Sequence, residues 1–303
     1  MSAAVLADTA PATAAPTRSV VLALGASEAR RLLRSPLLLV GLVLVAFFTW
    51  TMMQSPDDWS GARYQSAPIL IGPLLVVVSM MVAGSFHRER LGVSAEAPVG
   101  EGVRAAGRLV GALVLVGLVI ALTVAGAVAA RWYGGFDLGD EPGRTLHAQF
   151  TLPELLQPVA LVLLAVAVGA AAGRRLRHRA TATLLLFVGW FPFVTVSWAF
   201  QGSRMTPFSI LQIQPVSVDV GPVTANPLDF PSEWLLSPPG EYQDHWARLV
   251  VSGQLAAWHD VWLLGLTCLF LAVALPRGRR TALLGAGAVL AVAGVVMQYV
   301  VIP

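Results

Sequence analysis

The chain has 303 residues, of which 56% are hydrophobic and only 12% charged, with a mean hydropathy of +0.71; a soluble globular domain carries about a quarter charged residues, so that class is excluded. The formal net charge of +3 does not indicate a nucleic-acid binder, because the basic residues fall in short clusters beside apolar stretches rather than along one face. All 20 are arginines, and the single cysteine, Cys268, rules out an intramolecular disulfide.

Residues 1–16 are rich in Ala, Thr and Pro and lack the basic and apolar regions of a cleaved signal peptide, so they read as a disordered tail. The next segment, 17–35, predicts a short helix lying in the headgroup layer. Ser27, Arg30, Arg31 and Arg34 share one arc of it, and Val21, Leu22, Gly25, Ala29, Leu32 and Leu33 occupy the other side.

Seven apolar stretches follow, at 37–51, 69–86, 109–130, 155–172, 180–200, 258–275 and 281–301. Most approach the roughly 20 residues that cross a bilayer core. The first is short, but Pro36, Met52 and Met53 extend it and flanking arginines can snorkel to the interface. The predicted fold class is therefore all-α: a polytopic integral membrane helical bundle of about seven transmembrane helices. Within it, Pro73 and Pro192 are expected to kink the second and fifth spans. Small residues recur every four positions at Gly107 and Gly111, at Gly117, Ala121, Ala125 and Ala129, and at Ala165, Gly169 and Gly173, a pattern that lets helices approach closely in lipid.

The arginines set an orientation. Fifteen of the 20 lie before the first span or in the loops after spans two, four and six, together with five of the 17 acidic residues, a balance of about +10; the alternate loops hold the other five arginines and 12 acids, about −7. By the positive-inside rule the basic side is cytoplasmic, which puts the amino terminus inside and, with seven spans, the carboxyl terminus outside a plasma membrane.

No Asp, Glu, Arg or His falls in the middle of a span, which disfavours an ion-coupled transporter or a proton relay. The outer loop 201–257 is long, rich in proline and without obvious secondary structure, and is expected to pack over the outer mouth. Its neighbourhood holds His147, His245 and His259 near Asp244 and Asp260, but none of the spacings of a metal site, so no metal is expected. No G-x-x-x-x-G-K-[ST] phosphate loop occurs, so the chain cannot hydrolyse ATP by itself.

The segment His87-Arg88-Glu89-Arg90-Leu91-Gly92-Val93-Ser94-Ala95-Glu96-Ala97-Pro98-Val99, followed by Arg104 and the apolar start of the third span, resembles the permease subunits of ABC exporters of the ABC-2 type. There the second span runs into a charged stretch, a Gly-Thr, a Glu and a Pro-Val pair. Arg88, Glu89 and Arg90 match the charged stretch, Gly92 the glycine, Glu96 the glutamate, and Pro98 with Val99 the final pair. Val93 stands in place of the threonine, and the spacing from glutamate to proline is short. The run Glu28-Ala29-Arg30-Arg31-Leu32-Leu33-Arg34-Ser35-Pro36 looks like the interfacial elbow of the same permeases, and 257–266 resembles a phrase of their actinobacterial members.

The resemblance implies an elbow at 17–35 carrying Glu28, Arg30, Arg31 and Arg34, a six-helix permease domain at 36–275, and an appended helix at 276–303. It implies a coupling loop of Arg88, Glu89, Arg90, Gly92, Glu96 and Pro98 that docks on a separate cytoplasmic P-loop ATPase subunit, with ATP and Mg bound there and no cofactor here. The partners implied are that ATPase, a second permease copy and membrane lipid. The apolar spans suit a hydrophobic substrate. A membrane scaffold or sensor without a transport cycle is the alternative, and a lipid-modifying enzyme lacks a visible set of nucleophile, base and metal ligands.

Overall fold

The computed structural model describes residues 17–54, 71–88, 99–135, 149–199, 206–211, 216–232, 234–239, 244–250, 252–276 and 280–302. Each of the seven apolar stretches forms a helix within its described residues. In chain order the helices are α1 (Thr17–Leu33), α2 (Pro36–Gln54), α3 (Gly72–His87), α4 (Glu101–Trp132), α5 (Leu152–Arg175), α6 (Arg179–Ala199), α7 (Gly253–Ala274) and α8 (Arg280–Val301). Among the described residues, α4, α5, α7 and α8 are each long and apolar enough to cross a bilayer, and α1 with α2 forms a pair bent by 55° that adds a fifth candidate. Helix α3 and the first part of α6 are apolar but shorter.

Helix α5 is the centre. Its Ala, Val and Leu run all the way round, the pattern of a helix enclosed by protein, and it packs against α3, α4 and α7. Close approach to α3 depends on glycine: a Cβ on Gly169 would strike the Ser79 carbonyl oxygen, and one on Gly173 that of Ala83. With no side chains between them the two backbones touch, so dispersion contacts rather than transfer from water hold the pair in lipid. Ser79 then accepts from the Trp190 indole Nε1 at 3.1 Å, which ties α6 to the same place on α3. Helix α8 lies antiparallel on α7 through a third glycine contact, in which a Cβ on Gly294 would come within 2.6 Å of the Trp262 backbone nitrogen.

Of the small-residue ridges on α4, the first is used and the second is not. Gly107 and Gly111 receive α1, whereas a Cβ on Gly117 would meet nothing within 4 Å and Ala121, Ala125 and Ala129 are exposed. Pro73 does not kink the second apolar helix. Helix α3 begins at Gly72, so Pro73 stands in its first turn, where the missing N–H has no bond to lose. Pro192 lies within α6, and the helix runs on through it.

The expectation of a purely helical chain needs one correction. Part of the loop 201–257 forms an antiparallel sheet of β1 (Val216–Pro222), β2 (Leu235–Ser237) and β3 (His245–Val250), in the order β1-β3-β2. Val216, Val218 and Val220 alternate with Ser217 and Asp219, a period of two that the surrounding prolines mask. The register pairs Val216 with Val250 and slips at Asp219 and Gly221. Phe230 stacks on Trp234 at 6.0 Å, and the Arg248 guanidinium lies over the Trp234 ring, 4.5 Å from its centroid. The sheet sits on the bundle through Val216 and Val218, which meet Leu255 of α7 and Val301 and Ile302 at the end of α8.

Candidate functional site

Helix ends gather the charges at one end of the bundle. Arg174 at the end of α5 pairs with Glu101 at the start of α4, Pro276 after α7 approaches Gly102, and Arg179 at the start of α6 lies over Gly84 near the end of α3, 3.9 Å from where its Cβ would be. This basic end holds Arg88 and Val99, the described residues on either side of the segment 89–98.

Glu28 organises it. Helix α1 presents three strips at 100° per residue. Val21, Gly25, Glu28 and Leu32 face the protein; Leu22, Ala26 and Leu33 form an exposed apolar strip; Ser27, Arg30, Arg31 and Arg34 form an exposed polar one. The inner strip docks on α4, where Gly111 leaves room for the Glu28 stem: an added Cβ would come 2.6 Å from Glu28 Cβ. Glu28 therefore does not share the outward arc of the elbow arginines, because the glycine at position 111 admits its side chain between α1, α3 and α4.

The Glu28 carboxylate accepts from Arg31 Nε at 2.9 Å, from a second Arg31 nitrogen and from the Ser85 hydroxyl on α3. Arg88, at the end of α3, lies 3.5 Å away, a charge contact without hydrogen-bond geometry. Burial by itself would push the Glu28 carboxyl up. The hydrogen bonds from Arg31 and Ser85, with the charges of Arg31 and Arg88, outweigh burial and hold it below the usual carboxylate range. Burial, then the neighbouring charge of Arg31, pushes Arg88 down to about 10, with Glu28 acting in the opposite sense and Arg108 and Arg179 adding to the repulsion. Arg88 remains a cation at neutral pH. Arg108 also lies over the Phe86 ring, 5.9 Å from its centroid, and Arg104 donates to the Val99 carbonyl oxygen where the chain re-enters α4.

The structure thus brings together Glu28, Arg31 and Arg88 and leaves Arg30 and Arg34 exposed. Glu89, Arg90, Gly92, Glu96 and Pro98 lie outside the described residues. Ser85 and Gly111 were not singled out as site residues by sequence reasoning; the four-residue spacing from Gly107 to Gly111 was the available signal for the second.

A different polar group sits toward the opposite end. His259, which sequence reasoning put at the edge of a span, is fully buried between α7 and α8. Its Nδ1 is 3.0 Å from Gln298 Oε1, and Gln298 Nε2 donates to the Gly294 carbonyl at 3.1 Å. Asp260 is buried beside it in sequence, and Gln157 of α5 donates to the Leu211 carbonyl at 3.4 Å. His245 instead pairs with Asp244 at 3.1 Å at the exposed start of β3, away from the buried His259. Among the described residues there is no group of three or more His, Cys, Asp or Glu placed to hold a metal.

Comparison with family models, with characterised proteins and with solved structures returns no match to this chain. Chemically, the basic end offers, among the described residues, a charged anchor between α1 and α3 packed against α4.

Proposed function

We propose that the chain is the membrane-spanning subunit of an ATP-driven exporter of the ABC-2 type, working with a second copy and with separate P-loop ATPase subunits. In this reading α2 to α8 each cross the membrane once, α1 lies at the cytoplasmic headgroup layer, and the segment 89–98 docks on the ATPase. The observation that carries it is the anchor at Glu28. Because α1 and the end of α3 meet at the Glu28 carboxylate and α4 packs on the Glu28 stem at Gly111, a push on the loop between α3 and α4 would move all three as one body, the behaviour required of a coupling element. The three strips of α1 support the same placement, since an apolar exposed strip beside a basic one suits a helix half sunk in lipid.

The test is purification of the tagged protein from its native host in mild detergent, followed by identification of co-purifying chains. A stoichiometric P-loop ATPase that is retained by wild type and lost from a variant carrying Glu89→Ala, Arg90→Ala and Glu96→Ala supports the reading. Absence of any ATPase from an otherwise intact membrane complex overturns it and leaves the scaffold reading ahead.

A further inference from the structure

We propose that a groove between α3 and α6 is a binding site for one anionic phospholipid, with the phosphate on Arg179 and an acyl chain running toward Phe187. The groove is a shallow, open one of about 620 Å³, lined by Met80 of α3 and by Arg179, Ala180, Thr183, Leu184 and Phe187 of α6. The α6 residues recur at three- and four-residue intervals, so they make one continuous face. Leu184 and Phe187 are each 63% exposed, which leaves the apolar floor open along its length. Phe187 lies eight residues beyond Arg179, about 12 Å further along the helix.

Charge selects the occupant. At the basic mouth of the groove Arg179 lies over Gly84, and Arg88, one turn further along α3, feels the charges of Arg31, Arg108 and Arg179 with Glu28 as the opposing carboxylate. Among the described residues Arg31, Arg88 and Arg179 share one carboxylate, Glu28, which leaves a positive excess, and Arg174 is already paired with Glu101. A zwitterionic headgroup would bring its own cation into that field. A headgroup with net negative charge does not, and a guanidinium matches a phosphate with two parallel N–H donors. The apolar floor excludes free phosphate as the natural occupant, because only a lipid fills both parts of the site. None of this depends on the exporter reading; it requires only that the helices lie in a bilayer.

The experiment uses the full chain in mild detergent, mixed with equal amounts of phosphatidylglycerol and phosphatidylcholine, with retained lipid counted by native mass spectrometry. Wild type is expected to keep phosphatidylglycerol preferentially. Arg179→Gln, an exposed position that the fold tolerates, should lower that retention roughly fivefold, the worth of one basic residue at an anionic lipid surface, and leave phosphatidylcholine unchanged. Leu184→Trp, which fills the groove, should lower it as well. The controls Arg30→Gln on the exposed strip of α1 and Leu152→Trp at the other end should retain the wild-type level. Equal losses in Arg179→Gln and Arg30→Gln would mean a diffuse charge effect and overturn the site. So would a wild type that does not discriminate between the lipids, or a lipid-free dimer dissociated by Leu184→Trp, which would mean that a second copy covers the groove.

Discussion

Glu28 is the residue on which three donors from two helices converge, and removing its charge orphans all of them at once. Glu28→Ala should lower unfolding stability by about 1–3 kcal/mol, the range for charged hydrogen bonds lost in a partly buried place, and Glu28→Gln by less, since an amide oxygen still accepts from Ser85. The pH dependence follows from the same contacts. The folded-state pKa lies below the ordinary 4.5, so the stabilisation is complete above about that pH and disappears as pH falls through the folded value. Thermal unfolding of wild type in detergent should therefore show an acid loss below pH 4.5 that Glu28→Gln lacks. Trp190→Phe keeps the ring and deletes the donor to Ser79, and should cost about 1 kcal/mol in the same assay.

The helices meet where glycine allows backbone to touch backbone, and the positions differ sharply in what a methyl group would do. Gly111→Ala would drive a Cβ to 2.6 Å from Glu28 Cβ and 2.8 Å from the Gly25 carbonyl oxygen, so it should destabilise by about 1–3 kcal/mol through forced separation of α1 from α4. Gly117→Ala, six residues along the same helix, meets nothing within 4 Å. It should be neutral or stabilise by up to about 1 kcal/mol through helix propensity. Opposite shifts in unfolding temperature for this pair would establish that α1 docks on α4 as described; equal shifts would contradict it. The same contrast shows why a sequence ridge of small residues is ambiguous. Gly107, Gly111, Gly169 and Gly173 lie against other helices while Ala121, Ala125 and Ala129 do not, and nothing in their spacing distinguishes the two sets.

For the molecule as a whole, apolar length made the helical stretches legible, because a run such as 155–172 has no other way to satisfy its backbone in lipid. Three things were hidden. The strand alternation at 216–222 is short and flanked by prolines, so the sheet over α7 and α8 did not stand out. The direction in which Glu28 points depends on a cavity left by Gly111, some 80 residues away in sequence. His259 read as a loop-edge residue because its partner, Gln298, is on a different helix. The number of spans is open to direct measurement. With seven crossings and the amino terminus inside, a reporter fused after residue 302 should be accessible only from outside the cell, whereas six crossings would return it to the cytoplasm. The segment 89–98, a site proposed from resemblance alone, should in either case be protected from external labels.

The glycine contact between α7 and α8 also has a bearing on biosynthesis. Helix α7 leaves the ribosome before α8, with His259 on the face that α8 will cover and with bare backbone at Gly265. Only when residue 298 has been made does the imidazole acquire its amide partner. Until then the ring lacks that amide, and a chain terminated in the loop after α7 would lack both this contact and the close packing of α8 at Gly265.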